Sequence, residues 1–261
     1  MEQVILHNKI PICLVPLMYR EVIKERPPSY SYPTVQKRIE EDRPAIDAFL
    51  EEIRPFCYHA NFARISANPT TPGEPFLANS WFEGGDARSA YGITAGLRPK
   101  RIIEIGSGNS TMFIRRAIRD FSLATQLTSI DPAPRAEIDR LCNTVIRRSV
   151  LDVELSVFDG LQEGDVLFHD GSHLTFNGTD TVRLFLEILP RLKPGVLIHL
   201  HDICLPFEYV AGYDRRGYSE QYMLATLLLF SRQFEVVLPV SYLGRQGTFD
   251  GGVSFWIRKR S

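Results

Sequence analysis

From residue 101 onward, short apolar runs alternate with stretches whose apolar residues recur at helical spacing. The runs predict strands at 101–106, 126–131, 144–150, 165–170, 195–202, 234–240 and 252–259. Helices are predicted at 110–121, 134–143, 178–192 and 220–231. Because strands that alternate with helices form a parallel sheet covered on both faces, the pattern predicts a doubly wound, mostly parallel α/β fold. The last two strands have no predicted helix between them, which indicates an antiparallel hairpin.

The residues upstream of this pattern differ in composition. Residues 1–35 are rich in proline and are interpreted as an arm, and 34–57 carry a helical apolar stripe that Pro44 divides into two helices. A loop is predicted at 67–76 and a helix at 86–99. We therefore expect an N-terminal arm and helical cap over 1–75 and a ligand-binding domain over 76–261.

Composition excludes several functional classes. With 30 Lys and Arg against 31 Asp and Glu, no basic excess indicates a nucleic acid or an anionic membrane as partner. The apolar stretch Ile10–Met18 is interrupted by Pro11 and Pro16 and is too short to span a bilayer, and Glu2 argues against a secretory signal. The four cysteines show no CxxC spacing, which is typical of free thiols in a reducing compartment. We expect a cytoplasmic protein.

A glycine loop, Glu104-Ile-Gly106-Ser-Gly108-Asn-Ser110, lies directly between the first predicted strand and helix of the alternating region. A dinucleotide loop needs a third glycine, where this chain has Thr111, and a phosphate-binding GK[ST] sequence is lacking. Asp131 ends the next strand, where an acid can accept hydrogen bonds from ribose hydroxyls. Alternatively, the glycines form a tight turn and Asp131 caps a helix. Together, the two features favour a nucleoside-bearing ligand.

Several motifs in fixed order resemble the class I S-adenosylmethionine-dependent methyltransferases, and most closely their bacterial domain family 24. They are "RIIEIGSG", "SIDP", "DGSH", "EILPRLKPGVLIHLHDI", "PFEY", "EQYMLATLLL" and "GGVSFWIRK", which span roughly residues 80–259. The resemblance implies a Rossmann-like sheet of seven strands with the last one antiparallel. It also implies S-adenosylmethionine as cofactor, with Gly106 and Gly108 beneath its methionine part and with Ser110 and Asp170 among the other cofactor-binding residues. By the same resemblance Glu104, helped by Asp86 or Glu83, supports the amine end and Asp131 binds the ribose.

Two predicted strands end in histidine and aspartate, in "VLFHDGSH" and "VLIHLHDI". Ligands of open parallel sheets bind at the carboxyl ends of the strands. If these two strands are neighbours, Asp170, His173, His201 and Asp202 converge near the transferable methyl group. By strand alternation, His199 and His201 share a face and Asp202 points away, unless the turn changes this. His199 is interpreted as structural, and His169 as either a core histidine or a ligand.

Two mechanisms are consistent with these four residues. In the first, Asp170 and Asp202, together with His201 or His173, bind Mg, Mn or Fe, which activates an acceptor hydroxyl. In the second, His173 is the general base and Asp170 orients either His173 or the substrate. The Asp170-x-x-His173 spacing is similar to that of catechol O-methyltransferases, although histidine stands where they have lysine.

The function predicted is methyl transfer from S-adenosylmethionine to a small-molecule acceptor, as an O-methylation in secondary metabolism. One alternative is cyclisation or elimination on the cofactor itself, and another is a binding subunit without turnover. Residues 206–222 are interpreted either as a loop that closes over the substrate or as an ordinary loop whose aromatic residues fill the core. The N-terminal segment is interpreted as a lid, as the arm of a homodimer, or as a packing arm with no role in the chemistry. The candidate contacts in this loop are Glu208, Tyr209, Tyr213, Arg216, Tyr218 and Gln221.

Overall fold

The structure is a computed structural model that describes residues 6–7, 10–11, 26–213 and 216–260. Most of the predicted proline-rich arm therefore lies outside the described residues. Two short strands, β1 (Leu6–His7) and β2 (Ile10–Pro11), pair with each other. The main sheet consists of β3 (Arg101–Ile105), β4 (Gln126–Ile130), β5 (Thr144–Ile146), β6 (Val166–His169), β7 (Leu197–Leu200), β8 (Phe234–Pro239) and β9 (Phe255–Lys259).

These seven strands lie in the order β5-β4-β3-β6-β7-β9-β8, and β9 runs antiparallel to both of its neighbours. All other pairings are parallel. The order reverses between β3 and β6, so the sheet is doubly wound around that point. This confirms the predicted Rossmann-like sheet of seven strands with an antiparallel last strand.

Helices cover the sheet. They are α1 (Pro33–Glu41), α2 (Arg43–Cys57), α3 (Ala60–Ala63), α4 (Gly84–Leu97), α5 (Asn109–Asp120), α6 (Asp180–Arg183), α7 (Glu220–Phe230) and α8 (Val240–Arg245). The chain continues from α6 through a π-helical turn, Leu184–Ile188, and a 3₁₀ turn, Leu189–Arg191. None of the helices among the residues described has the length and apolar character needed to cross a membrane.

Two expectations about local structure are wrong. The segment 134–143 forms only a 3₁₀ turn, Asp139–Leu141, because Ile138 is its one buried side chain and a helix of this length needs an apolar face to pack. The connection between β8 and β9 contains α8, although the two strands pair antiparallel as predicted.

The N-terminal helices pack directly against the sheet domain. Pro44 lies in the first turn of α2, so the predicted break between α1 and α2 falls at Asp42. Gly92 of α4 allows close approach to α2, because a Cβ there would lie 2.3 Å from Cys57 Sγ. Buried residues of α1 and α2, such as Ile39 and Ile53, belong to the same hydrophobic core as the strands. The division at residue 75 stays a prediction.

Candidate active site

The glycine loop follows β3 at the carboxyl edge of the sheet. Gly106 has φ +76°, and a Cβ on it would lie 1.8 Å from the carbonyl oxygen of Asp170. Glycine is required here because the loop touches the backbone that follows β6. Gly108 differs, since a Cβ at that position would meet nothing within 4 Å. The loop therefore has one packed glycine and one that faces open space.

Glu104 lies beneath this loop and is completely buried. The Ser110 hydroxyl donates to Glu104 Oε1 at 2.6 Å, and the Thr111 hydroxyl donates to Oε2. Thr111 also accepts a hydrogen bond from the Gly108 amide. Burial raises the pKa of Glu104 to about 7, against the opposing effect of the two hydroxyls. The carboxyl group thus ties the end of β3 to the start of α5.

We expect Glu104→Gln to change the pH dependence of stability. The pKa of Glu104 is raised from 4.5 to about 7 in the folded protein, so its contribution is complete below pH 4.5 and lost as the pH rises through 7. The shift corresponds to about 3 kcal/mol. Between pH 4.5 and pH 8, the free energy of unfolding of Glu104→Gln, measured in urea, should rise by about 3 kcal/mol relative to that of wild type. An equal difference at both pH values would contradict the assignment.

Asp131 directly follows β4 and lies beside the glycine loop. Its Oδ2 accepts a hydrogen bond from the Ser107 amide, and its Oδ1 accepts one from the Ala133 amide, both at 2.8 Å. Asp131 thus fixes the glycine loop and the turn that follows β4. Its predicted bonds to ribose stay a prediction.

Asp170, His173, His201 and Asp202 lie together at the carboxyl ends of β6 and β7. His173 Nε2 is 3.3 Å from Asp170 Oδ1 and 3.3 Å from Asp202 Oδ2. His201 Nδ1 is 3.4 Å from Asp170 Oδ1 and 3.6 Å from Asp202 Oδ1. The strands bring them together because His169 and Leu200 are paired in register across β6 and β7.

Two left-handed residues complete this convergence. His173 has φ +59° and Asp202 has φ +54°, values that residues other than glycine seldom adopt. The rings of His199 and His201 stack at 5.9 Å, as expected for residues on one face of β7. The turn at Asp202 breaks the strand alternation, so its carboxylate points back toward His173. Strained backbone of this kind is concentrated at functional sites.

Asp86, in the first turn of α4, contacts these residues at the ends of β6 and β7. Its Oδ1 accepts hydrogen bonds from the amides of Val253 and Ser254 at the start of β9, and its Oδ2 lies 3.5 Å from His201 Nε2. Glu83 is exposed at the start of α4, where its Oε1 accepts a hydrogen bond from the Ser80 amide. Of these two candidates, only Asp86 contacts a site histidine.

The two deeper histidines have different surroundings. His199 is stacked on Phe168 at 3.6 Å, its Nε2 lies 2.8 Å from Ser254 Oγ, and burial lowers its pKa. Its contacts agree with the structural interpretation. His169 lies between two carboxylates, with Nδ1 3.1 Å from Glu220 Oε1 and Nε2 3.6 Å from Asp180 Oδ2. Against the effect of burial, these acids raise the pKa of His169 to about 10.

These groups form one acid–imidazole cluster, whose members are Asp86, His169, Asp170, His173, Asp180, His201, Asp202 and Glu220. Five carboxylates face three histidines, so negative charge exceeds positive charge by two even when every imidazole is protonated. Ligand atoms of Asp170, His173 and Asp202 lie within 4.8 Å of one another, as the binding of one metal ion requires. His201 borders this group. The surplus charge and the donor types suit a divalent cation.

Two features of the site could not be predicted from the sequence: the role of Glu220, and the contact between Tyr213 and Asp202. Glu220 begins α7, where an acid is expected simply to complement the helix dipole, yet its Oε2 lies 2.9 Å from His173 Nδ1. Tyr213 was named as a loop residue, and its hydroxyl donates to Asp202 Oδ1 at 2.6 Å. The ring of Tyr218 lies 4.6 Å from that of His173.

A family model described as a methyltransferase domain, number 24 of its series, matches residues 103–203. The matched segment runs from β3 to the residue after Asp202, so it contains the glycine loop and the ends of β6 and β7. Residues 103–203 are thus similar to a methyltransferase domain. This confirms the resemblance seen in the ordered motifs.

Two solved methyltransferase structures are similar to this chain over more than two thirds of its length. The SAH-bound methyltransferase of Podospora anserina is 13% identical over 92% of this chain and 100% of its own, with a TM-score of 0.47. The cmcI structure with Mg and SAM is 17% identical over 69% of this chain and 73% of that one, with a TM-score of 0.42. No curated protein matches the sequence significantly.

Proposed function

We propose that this chain transfers the methyl group of S-adenosylmethionine to an oxygen atom of a small-molecule acceptor in secondary metabolism. The observation that carries the proposal is the contact between the glycine loop and the acid–imidazole cluster at Gly106 and Asp170. This contact would bring a cofactor on the loop next to groups that can activate an acceptor. Methyl transfer is an in-line displacement, so the protein mainly has to position and deprotonate that acceptor.

The cofactor residues proposed are Glu104, Gly106, Gly108, Ser110, Asp131 and Asp170. The open space at Gly108 supports this assignment, because a side chain there would occupy room that a ligand on the loop needs. Asp131 holds the Ser107 amide and directly follows the second strand of the main sheet, a position from which an acid can bind ribose hydroxyls.

A divalent cation fits the donor set, and Asp170, Asp202, His173 and His201 would hold it. When bound, the cation would lower the pKa of an acceptor hydroxyl and orient it. The negative surplus of the acid–imidazole cluster and the close spacing of three of its donors support this part of the proposal. The alternative role for His173 is that of general base, with Nδ1 against Glu220 and Nε2 directed toward Asp170 and Asp202.

A lid over the acceptor is proposed from the contacts of the loop after β7. Ser31 and Phe207 form an antiparallel bridge, and the Glu208 amide donates to the Tyr30 carbonyl. The Tyr32 hydroxyl donates to Glu208 Oε2 at 2.5 Å. The chain just before α1 is thus strapped to a loop whose Tyr213 reaches Asp202. This supports a lid role for both segments and leaves a homodimer arm untested.

The experiment that tests the function is titration calorimetry with S-adenosylmethionine on chelator-treated protein, with and without Mg²⁺ or Fe²⁺, followed by mass spectrometry. Binding with the cofactor left intact supports methyl transfer that awaits its acceptor. Breakdown of the cofactor without acceptor would instead establish cyclisation or elimination. Absence of binding under every condition would overturn the cofactor assignment and leave the glycine loop as a plain turn.

A further inference from the structure

Glu220 is a buried acid of the acid–imidazole cluster that is proposed to bind neither the cofactor nor the cation. It is the first residue of α7, directly after the tyrosine-rich loop 206–219, and its side chain is completely buried. A buried carboxylate is stable only when it is paired or hydrogen-bonded. Its two oxygens lie against two histidines, with Oε2 2.9 Å from His173 Nδ1 and Oε1 3.1 Å from His169 Nδ1.

The backbone around Glu220 also holds His173. The amides of Ser219 and Glu220 both donate to the His173 carbonyl, at 2.8 and 3.2 Å. The Ser219 hydroxyl accepts a hydrogen bond from the Thr175 amide at 2.8 Å. His173 needs this support because its φ of +59° is a conformation that persists only when the surrounding structure imposes it.

We propose that Glu220 is the positioning residue of the site, which fixes the ring of His173 so that Nε2 faces Asp170 and Asp202. The inference rests on the proposed function and adds the group that sets the orientation of its central histidine. Because the Glu220 carboxylate accepts a hydrogen bond at Nδ1, the proton stays on Nδ1. Nε2 is then left to bind a cation or to take the proton of the substrate hydroxyl. Both oxygens toward which Nε2 points are 3.3 Å away.

The next residue, Gln221, connects the same helix start to the tyrosine-rich loop. Its Oε1 accepts a hydrogen bond from the Cys204 amide, and its backbone amide donates to the Tyr209 hydroxyl. Its Nε2 donates to the Phe207 carbonyl. Two adjacent residues of α7 therefore hold different parts of the site: Glu220 holds His173, and Gln221 holds the proposed lid. The start of α7 thus sets the position of both His173 and the lid.

The test is the side-chain NMR spectrum of ¹⁵N-histidine-labelled protein without cofactor or cation, with His173 assigned through His173→Asn. We expect a downfield, slowly exchanging Nδ1 proton for His173 in wild type. This resonance should be lost in Glu220→Leu and move upfield in Glu220→Gln, whose neutral oxygen is a weaker acceptor. The matched control is Asp42→Asn, because Asp42 is also a buried acid but pairs with Arg38 and Arg260 instead.

A second measurement is the affinity for Mn²⁺ alone. Loss of an outer carboxylate that orients a ligand histidine weakens metal binding by about 10- to 100-fold, so we expect this range for Glu220→Gln and no change for Asp42→Asn. A His173 resonance that is the same in wild type and in folded Glu220→Gln would overturn the inference. Because that resonance is read without ligands, failure to bind S-adenosylmethionine or Mn²⁺ would count against the proposed function only.

Discussion

Gly106→Ala is expected to lower the free energy of unfolding by about 2–5 kcal/mol and to abolish binding of S-adenosylmethionine. The added Cβ would stand 1.8 Å from the Asp170 carbonyl oxygen, and φ +76° is already unfavourable for alanine. The overlap is with backbone, so a rotamer change cannot relieve it. The glycine loop and the end of β6 at Asp170 must therefore move apart. This displaces the proposed cofactor-binding loop from the acid–imidazole cluster. Urea unfolding and titration calorimetry measure the two effects.

Gly108→Ala is the matched control, because it makes the same chemical change two residues along the same loop. A Cβ there meets nothing within 4 Å, so we expect stability within about 1 kcal/mol of wild type. Cofactor affinity should nevertheless fall, since the methyl group enters the space proposed for the ligand. Equal loss of stability in the two variants would refute the packing argument, and unchanged affinity in Gly108→Ala would place the cofactor elsewhere.

Asp202→Asn is expected to reduce both Mn²⁺ affinity and methyl transfer by about 100-fold or more, because a buried charge-assisted contact is worth roughly 3 kcal/mol. The variant keeps the shape of the side chain, and asparagine tolerates the left-handed backbone that Asp202 adopts at φ +54°. The protein should therefore remain folded. What changes is the charge, which faces His173, His201 and the Tyr213 hydroxyl.

Calorimetry with Mn²⁺ and, once an acceptor is known, turnover measure the loss in Asp202→Asn. Asp159→Asn is the control, because this acid is exposed and pairs only with Arg191 among the contacts described for it. Wild-type Mn²⁺ binding in Asp202→Asn would remove this carboxylate from the proposed ligand set. Loss of folding in Asp202→Asn would contradict the tolerance expected of its backbone.

The strands and the position of the site could be predicted from sequence, because hydrophobic periodicity and parallel-sheet geometry are local and regular properties. Gly106, Asp170 and His201 each follow a strand, and the in-register pairing of β3, β6 and β7 places them at one edge. The direction of Asp202 could not be predicted, because a single left-handed residue reverses the strand alternation. Such a turn leaves no periodic signal.

Glu220 shows a second limit of sequence reasoning. It lies 47 residues from His173 along the chain, and its contact depends on how α7 packs against the loop after β6. An acid at a helix start is ordinary in sequence, so only the three-dimensional structure distinguishes a dipole-complementing residue from one that holds a histidine. The absence of the predicted helix at 134–143 has a comparable cause. Its residues are compatible with a helix in sequence, but in the structure only Ile138 is buried, so a helix there would have almost no core to pack against.

The strap between the segment before α1 and the loop after β7 has a consequence for synthesis on the ribosome. Tyr32 and Glu208 are separated by 176 positions, so the strap cannot close until most of the chain has been translated. At a translation rate of roughly 5–20 residues per second, about 10–35 s pass between the synthesis of Tyr32 and that of Glu208. During that interval α1 and α2 also lack β8, whose Val236 amide donates to Asp42. The part of α2 that packs on β8 therefore stays uncovered on the nascent chain for about 10–35 s, where chaperones would be expected to act.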